Sequence, residues 1–199
     1  MIYIVDDDPS VREALDNLLE SVGLQAQLFV STEEFSRAHR VDAPSCLILD
    51  VRLPGMNGLE YQETVRKSGV RMPIIFITAH GDVPMTSRAM KAGAIEFLMK
   101  PFQKDELLAA IHYALERDKV YRLEEAEISA LRSRFEQLTS REQEVMGLVT
   151  TGLINKEIGA QLGLSEVTVK IHRGRVMQKM GAGSLADLVR MSDRLHRRL

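Results

Sequence analysis

The sequence predicts two units: an α/β unit with helices on both faces of a five-stranded parallel sheet, then an all-α unit of four helices. Three observations predict it. Over residues 1–117, five short apolar runs alternate strictly with amphipathic segments, the pattern of strand–helix units that wind a parallel sheet. From Leu138 onward, apolar residues recur only at helical spacing, with capping and stop signals between them. Charge divides along the same line. Residues 1–118 carry 12 Lys/Arg against 18 Asp/Glu, residues 119–137 balance at 4 and 4, and residues 138–199 carry 10 against 6. An acidic first part and a basic last part suggest that only the last part meets a polyanion.

Ile2-Tyr3-Ile4-Val5 is continuously apolar and rich in β-branched residues, as a buried strand is. Val11, Leu15, Leu18, Leu19 and Val22 then recur at helical spacing before Gly23. Gln25 to Phe29 is a second strand, and Ser31-Thr32-Glu33-Glu34 has the arrangement of a capping box opening a helix. Cys46 to Leu49 and Ile74 to Ile77 are two more apolar strands, with a helix predicted over Leu59 to Arg66 between them. Asp82 is placed to cap a helix over Val83 to Ala92, Gly93 ends it, and Glu96 to Met99 makes a fifth strand. A long helical pattern starts at Lys104. Residues 116–137 are charge-rich, without Pro or Gly, and read as a helical linker. Along it and into the next residue, Ile128, Leu131, Phe135 and Leu138 follow 3–4–3 spacing, which suits a short dimer seam or a single helix packed on the first unit.

In the last part Thr139-Ser140-Arg141-Glu142 is a second capping box, followed by Val145, Leu148 and Val149. A short helix is predicted over Asn155 to Leu162. Gly163-Leu164-Ser165 makes a turn, and Ser165 caps a helix running to about Met180. Leu185 to Leu195 is the last helix. The boundaries are accordingly 1–117, 118–137 and 138–199.

The single cysteine, Cys46, excludes a disulfide framework and reads as a small core residue. No apolar run approaches the ~20 residues that span a bilayer. Met1 to Val5 runs into Asp6-Asp7-Asp8 without a basic stretch of the kind that opens a secretory signal. The chain is expected in the cytoplasm and away from membranes.

Ligand chemistry in parallel α/β sheets gathers beyond the carboxyl ends of the strands. Asp6 and Asp7 follow the first strand, Asp50 the third, Thr78 the fourth and Lys100 the fifth. Alone, any one is as well explained as a helix cap; all five together form a site. Three converging carboxylates repel one another unless a cation intervenes, and hard oxygen donors suit Mg²⁺ (or Mn²⁺). A carboxylate beside such an ion can attack phosphorus to form an aspartyl-phosphate, whose oxygens the Lys100 ammonium and Thr78 hydroxyl would bind. Lys100-Pro101 permits a cis peptide bond.

Val5-Asp6-Asp7-Asp8, Leu49-Asp50-Val51-Arg52-Leu53-Pro54-Gly55-Met56-Asn57-Gly58, Ile77-Thr78-Ala79 and Met99-Lys100-Pro101-Phe102 together resemble the signature of a response-regulator receiver domain, over residues 2 to about 117. The resemblance implies a flavodoxin-like sheet of order 2-1-3-4-5. It implies Asp50 as phosphoacceptor, Asp7 as direct metal ligand, Asp6 acting through water, and the main-chain carbonyl of Arg52 as a further metal contact. Lys100 and Thr78 would bind the phosphoryl group. Phe97 stands where the family has an aromatic that turns inward with the threonine; it also reads as a plain buried strand residue. Arg52 and His80 occupy positions that vary in such receivers and tune phosphate hydrolysis, although His80 reads equally as an exposed loop residue. His39, His112 and His196 have no metal-ligand spacing and read as surface residues.

A helical wheel at about 100° per residue puts Val169, His172, Val176 and Met180 on the inner side of the helix after Ser165. Val167, Lys170, Ile171, Gly174, Arg175 and Gln178 then face outward. Two cations, an isoleucine and a glycine suit a major groove, where Lys and Arg meet guanine edges or phosphates and Ile meets a thymine methyl. Lys156 and Thr168, near the starts of the two helices, are placed for phosphate contacts. Arg173 projects toward the core side.

Leu138 to Val145, Asn155-Lys156-Glu157-Ile158 and Ser165 to His172 resemble the LuxR-type helix-turn-helix domain. With the receiver, the chain resembles the NarL/FixJ family, and Thr78-Ala79-His80-Gly81-Asp82 leans toward its FixJ-like branch. That implies a histidine kinase as phosphodonor, promoter double-stranded DNA and RNA polymerase as partners, a homodimer when phosphorylated, and no enzymatic turnover. The last helix is the expected dimer contact. Gly174 stands where some relatives carry Lys. Two rivals differ in class. An aspartyl-nucleophile phosphatase usually carries a general-acid Asp where this chain has Arg52; a DNA binder with a degenerate receiver would lack the complete acidic set seen here.

Overall fold

Alternate residues along each apolar run point to opposite sides of a strand, so a run that is apolar throughout must be covered on both faces. The computed structural model, which describes residues 1–196, shows this arrangement. Strands β1 (Ile2–Val5), β2 (Ala26–Phe29), β3 (Cys46–Asp50), β4 (Ile74–Thr78) and β5 (Glu96–Met99) form one parallel sheet in the order β2-β1-β3-β4-β5. On one face Tyr3, Val5, Leu47, Leu49 and Phe76 pack with Phe35, Leu59, Val65 and Ala89. These come from helices α2 (Thr32–Arg37), α3 (Gly58–Lys67) and α4 (Val83–Lys91). On the other, Ile2, Ile4, Cys46, Ile48, Ile75 and Ile77 pack with Leu15, Leu19, Leu107 and Ile111 of α1 (Pro9–Glu20) and α5 (Lys104–Glu136). Burial pushes the Cys46 thiol up to about 12, so it stays a neutral core group.

Local chemistry sets the helix starts. Asp8, Ser31, Asn57 and Asp82 each accept a backbone N–H of the turn that follows. The expected capping box at Ser31 is offset. Glu34 takes the Val30 N–H at 2.8 Å rather than that of Ser31, because the carboxylate reaches one residue further back.

The chain divides into Met1–Arg122 and Leu123–Leu199. Helix α5 is continuous from Lys104 to Glu136. The second unit contains α6 (Ser140–Thr150), α7 (Asn155–Leu162), α8 (Glu166–Met180) and α9 (Leu185–His196). Positions 197–199, at the end of the span 138–199, lie outside the described residues. Leu131 and Leu138 are buried with Val145, Val149, Ile158, Val169, Val176, Met180, Leu188 and Leu195, and Phe135 packs against them. The 3–4–3 stripe is thereby corrected: its C-terminal part closes the core of its own unit instead of waiting for a second helix. The buried Glu142 completes the Thr139 capping box and accepts from Lys179 Nζ at 2.6 Å, which holds its carboxyl below the usual range. Among the described residues no helix is long and apolar enough to cross a membrane.

Gly163, at φ 67°, turns the chain between α7 and α8, and Gly159 packs beneath that turn. A β-carbon on Gly159 would lie 2.6 Å from the Leu164 carbonyl oxygen, which cannot retreat without opening the turn. Gly159→Ala is expected to destabilise the second unit by about 1–3 kcal/mol. Urea melting of the full chain checks this; an unshifted transition would contradict it.

Candidate acidic site and nucleic-acid interface

The parallel sheet ends four polar positions on one edge. Asp50 and Thr78 are the last residues of β3 and β4, Asp6 follows β1, and Lys100 follows β5. Carboxylate oxygens of Asp6, Asp7 and Asp50 lie within 4.8 Å of one another, the one such cluster of three among the described residues. Asp6 is fully buried, Asp50 nearly so, and Asp7 exposed. The Lys100 ammonium lies between two of them, 2.7 Å from Asp6 Oδ2 and 2.7 Å from Asp50 Oδ2. The Lys100–Pro101 bond is cis. Burial pushes the Asp6 carboxyl above its ordinary value, against the lowering pull of Lys100. Burial would lower Lys100 in turn, but its bonds to Asp50 and Asp6 raise it.

The remaining oxygens are held by the backbone. Asp50 Oδ1 accepts the Arg52 N–H at 2.9 Å, and Asp6 Oδ1 accepts the Asp8 N–H at 3.0 Å. Arg52 and His80 themselves are exposed, as are His39, His112 and His196. The Thr78 hydroxyl is engaged at 3.3–3.4 Å with the backbone of His80, not with the carboxylates. Phe97 is buried beside Phe76 at a centroid distance of 6.1 Å. An all-oxygen, multiply anionic cluster of this kind fits a hard divalent cation.

Two contributors escaped the sequence. Arg12 Nη1 donates to the Asp6 carbonyl at 2.6 Å; only its position one turn into the helix after three acidic residues hinted at this. Gly58 closes the loop after Asp50, its N–H on the Val51 carbonyl at 3.0 Å. A β-carbon there would lie 2.4 Å from the Asp50 carbonyl oxygen, so only glycine lets α3 start this close to the strand end.

In the second unit Ser165 caps α8 by accepting the Thr168 N–H at 3.1 Å, and the Thr168 hydroxyl lies 2.8 Å from Ser165 Oγ. Val169, Val176 and Met180 are buried, while Lys170, Gly174 and Arg175 are exposed. Val167 and Ile171, on the same outer face, are 69% and 50% exposed. Lys156 is exposed on the first turn of α7. Arg173 Nη1 is bound to Asn155 Oδ1 at 2.6 Å, which ties α8 to α7 and removes this cation from the outer face.

Removing the Lys100 ammonium leaves two largely buried carboxylates facing each other. Lys100→Met should cost about 2 kcal/mol of receiver stability, less than a fully buried pair because the edge opens to water. Adding Asp6→Asn should return most of it. Equal thermal midpoints for the wild type and Lys100→Met would contradict this account.

The family comparisons agree with this geometry. Residues 2–112 match the response regulator receiver domain, and residues 136–192 match the family of bacterial regulatory proteins, luxR family. The chain is 53% identical over 195 residues to nodulation protein W of Bradyrhizobium diazoefficiens, covering 98% of this chain and 86% of that protein. It is 45% identical over 195 residues to response regulator protein TodT of Pseudomonas putida (98% and 86%). It is 40% identical over 191 residues to transcriptional regulatory protein FixJ of Azorhizobium caulinodans (96% and 90%). Among solved structures, response regulator StyR superposes with a TM-score of 0.85 at 48% identity, covering 97% of this chain and 98% of that one. Full-length FixJ from B. japonicum gives 0.58 at 37% identity, covering 98% and 97%. The chain thus belongs to the FixJ-like response regulators, two-component proteins that join a receiver domain to a LuxR-type DNA-binding domain and regulate transcription.

Proposed function

We propose that phosphorylation of Asp50 by a histidine kinase converts this chain into a homodimer that binds promoter DNA and acts on RNA polymerase. The observation that carries the proposal is the meeting of Asp6, Asp7 and Asp50 within 4.8 Å, with the Lys100 ammonium 2.7 Å from both Asp6 and Asp50. One Asp50 carboxylate oxygen attacks the phosphorus of a phosphohistidine. The phosphorus–nitrogen bond breaks, and the imidazole leaves with the electron pair and takes up a proton. Lys100 then exchanges its bond to Asp50 for one to a phosphoryl oxygen. The Thr78 hydroxyl, held by long contacts at His80, turns to another, and Phe97 takes the inward position with it. Asp6, Asp7, Asp50 and the main-chain carbonyl of Arg52 would hold Mg²⁺ (or Mn²⁺). Such an ion, when bound, neutralises the carboxylates and the phosphoryl oxygens.

Added charge in this pocket remodels the face formed by α4, β5 and α5 and shifts the population toward the dimer. The second unit then lays α8 in the major groove. Lys170 and Arg175 read guanine edges or grip phosphates, Ile171 meets a thymine methyl, and Gly174 allows close approach. Lys156 and Thr168 hold the phosphate backbone. Helix α9 supplies the contact between the two DNA-binding units. A cytoplasmic site of action follows from these partners.

With a small acyl phosphate and Mg²⁺, the wild type should gain the mass of one phosphoryl group and bind a duplex selected from random sequence at least tenfold more tightly. Asp50→Asn should lose both effects; a variant that still responds would sink the proposal, and a wild type that never responds would favour a phosphorylation-independent regulator. Lys170→Ala should weaken binding to that duplex about tenfold, one base or phosphate contact being worth ~1–3 kcal/mol, with phosphorylation unchanged. Parallel loss of phosphorylation would contradict separate roles for the two units.

A further inference from the structure

Gly81 lies three residues beyond the end of β4, in the loop that begins with Thr78 and leads to the Asp82 cap of α4. A β-carbon built on it would stand 2.8 Å from Phe97 Cε1, 3.4 Å from Phe97 Cζ and 3.3 Å from the Thr78 methyl. The first distance is shorter than real side chains tolerate, and the ring has no room to withdraw inward. Phe97 is 8% exposed and packed among Phe76, Ala89 and Ala94. The way left open is outward, toward the groove bordered by Ile95, Met99, Ala109 and Tyr113. Position 81 therefore decides whether the Phe97 ring can occupy this inward seat.

We propose that Gly81 is a positioning residue for the Thr78–Phe97 relay: its missing side chain leaves open the inward seat of the Phe97 ring against the Thr78 methyl. This rests on the reading that Asp50 is phosphorylated, because Gly81 touches none of the reacting groups. A methyl at 81 blocks the seat itself. It should uncouple the output while leaving the chemistry at Asp50 intact.

The test is a cycle of Gly81→Ala, Phe97→Leu and the double variant in the full-length chain. Phosphoryl uptake from acetyl phosphate with Mg²⁺ is read by mass, and affinity for the selected duplex is measured with and without the phosphodonor. Gly81→Ala should take up the phosphoryl group to within threefold of the wild-type rate yet lose at least tenfold of the phosphodonor-stimulated affinity. Adding Phe97→Leu, which removes the ring edge that the methyl meets, should return the response to within threefold of that of Phe97→Leu alone. An unchanged response in Gly81→Ala, strictly additive losses, or a collapse of phosphoryl uptake would overturn the inference. If Gly81→Ala does not fold, recovery of a cooperative melt in the double variant supports the same steric coupling, and equal failure of both overturns it. Absence of phosphoryl uptake in the wild type would instead bring down the reading of Asp50, and this inference with it.

Discussion

Two carboxylates, Asp6 and Asp50, sit largely out of water at the edge of an apolar sheet, and the Lys100 ammonium lies 2.7 Å from each. Desolvating one carboxylate costs several kcal/mol unless a cation and hydrogen bonds offset it, so most of the first unit is arranged around making that offset possible. The three residues come from three strands, and the parallel pairing of β1, β3, β4 and β5 delivers their ends to one edge. The register β1–β3–β4–β5 brings Asp6, Asp50, Thr78 and Lys100 to that edge together. A shift of one residue in any strand would turn its polar terminus to the wrong face. The apolar side chains that fix this register, Ile48 and Ile77 on one face and Leu49 and Phe76 on the other, thus position the charges as much as they stabilise the fold.

The same constraint explains the backbone donors. A carboxylate shared with one lysine still has lone pairs to satisfy, and the N–H groups of Asp8 and Arg52 take them without adding charge. Arg12, bound to the Asp6 carbonyl, stiffens the loop from the other side. A pocket held this way would keep its shape if Lys100 exchanged partners as proposed above.

Much of this was legible in the sequence because it follows from periodicity. Five strands, their alternation with helices and the polar strand ends are all patterns of apolar and charged residues. Asp6, Asp7, Asp50 and Lys100 were visible as charges that interrupt apolar runs, and they converge as expected. What periodicity could not reveal depends on three-dimensional closeness. Arg12 is one exposed-looking cation in a helix, and its bond to Asp6 follows from the path of the loop. Gly58 and Gly159 read as ordinary turn or helix residues; their 2.4 Å and 2.6 Å limits exist only once loop and helix are packed. The stripe through Leu131 and Leu138 was ambiguous for a related reason: spacing tells that a face is apolar, not what covers it.

Net charge is the clearest case in which structure refines composition. The basic surplus of residues 138–199 suggests a broad polyanion footprint, yet five of its eight described cations are engaged within the unit. Arg173 holds Asn155, Lys179 holds Glu142, Arg190 pairs with Asp187 and Arg194 with Glu127, and Arg141 binds both Glu144 and the Leu162 carbonyl. Among the described residues that leaves Lys156, Lys170 and Arg175 exposed on α7 and α8. Each neutralised phosphate releases roughly one counterion, so three such cations on α7 and α8 would by themselves give a modest salt dependence and weak binding by one copy. Pairing two copies on adjacent half-sites doubles the number of contacts without new residues. A sparse outer face on α8 is therefore what the proposed dimerisation would compensate, and it favours that proposed step as the one that sets affinity. That is the step a receiver domain is suited to control, since it needs to move only a population and not to build a new surface.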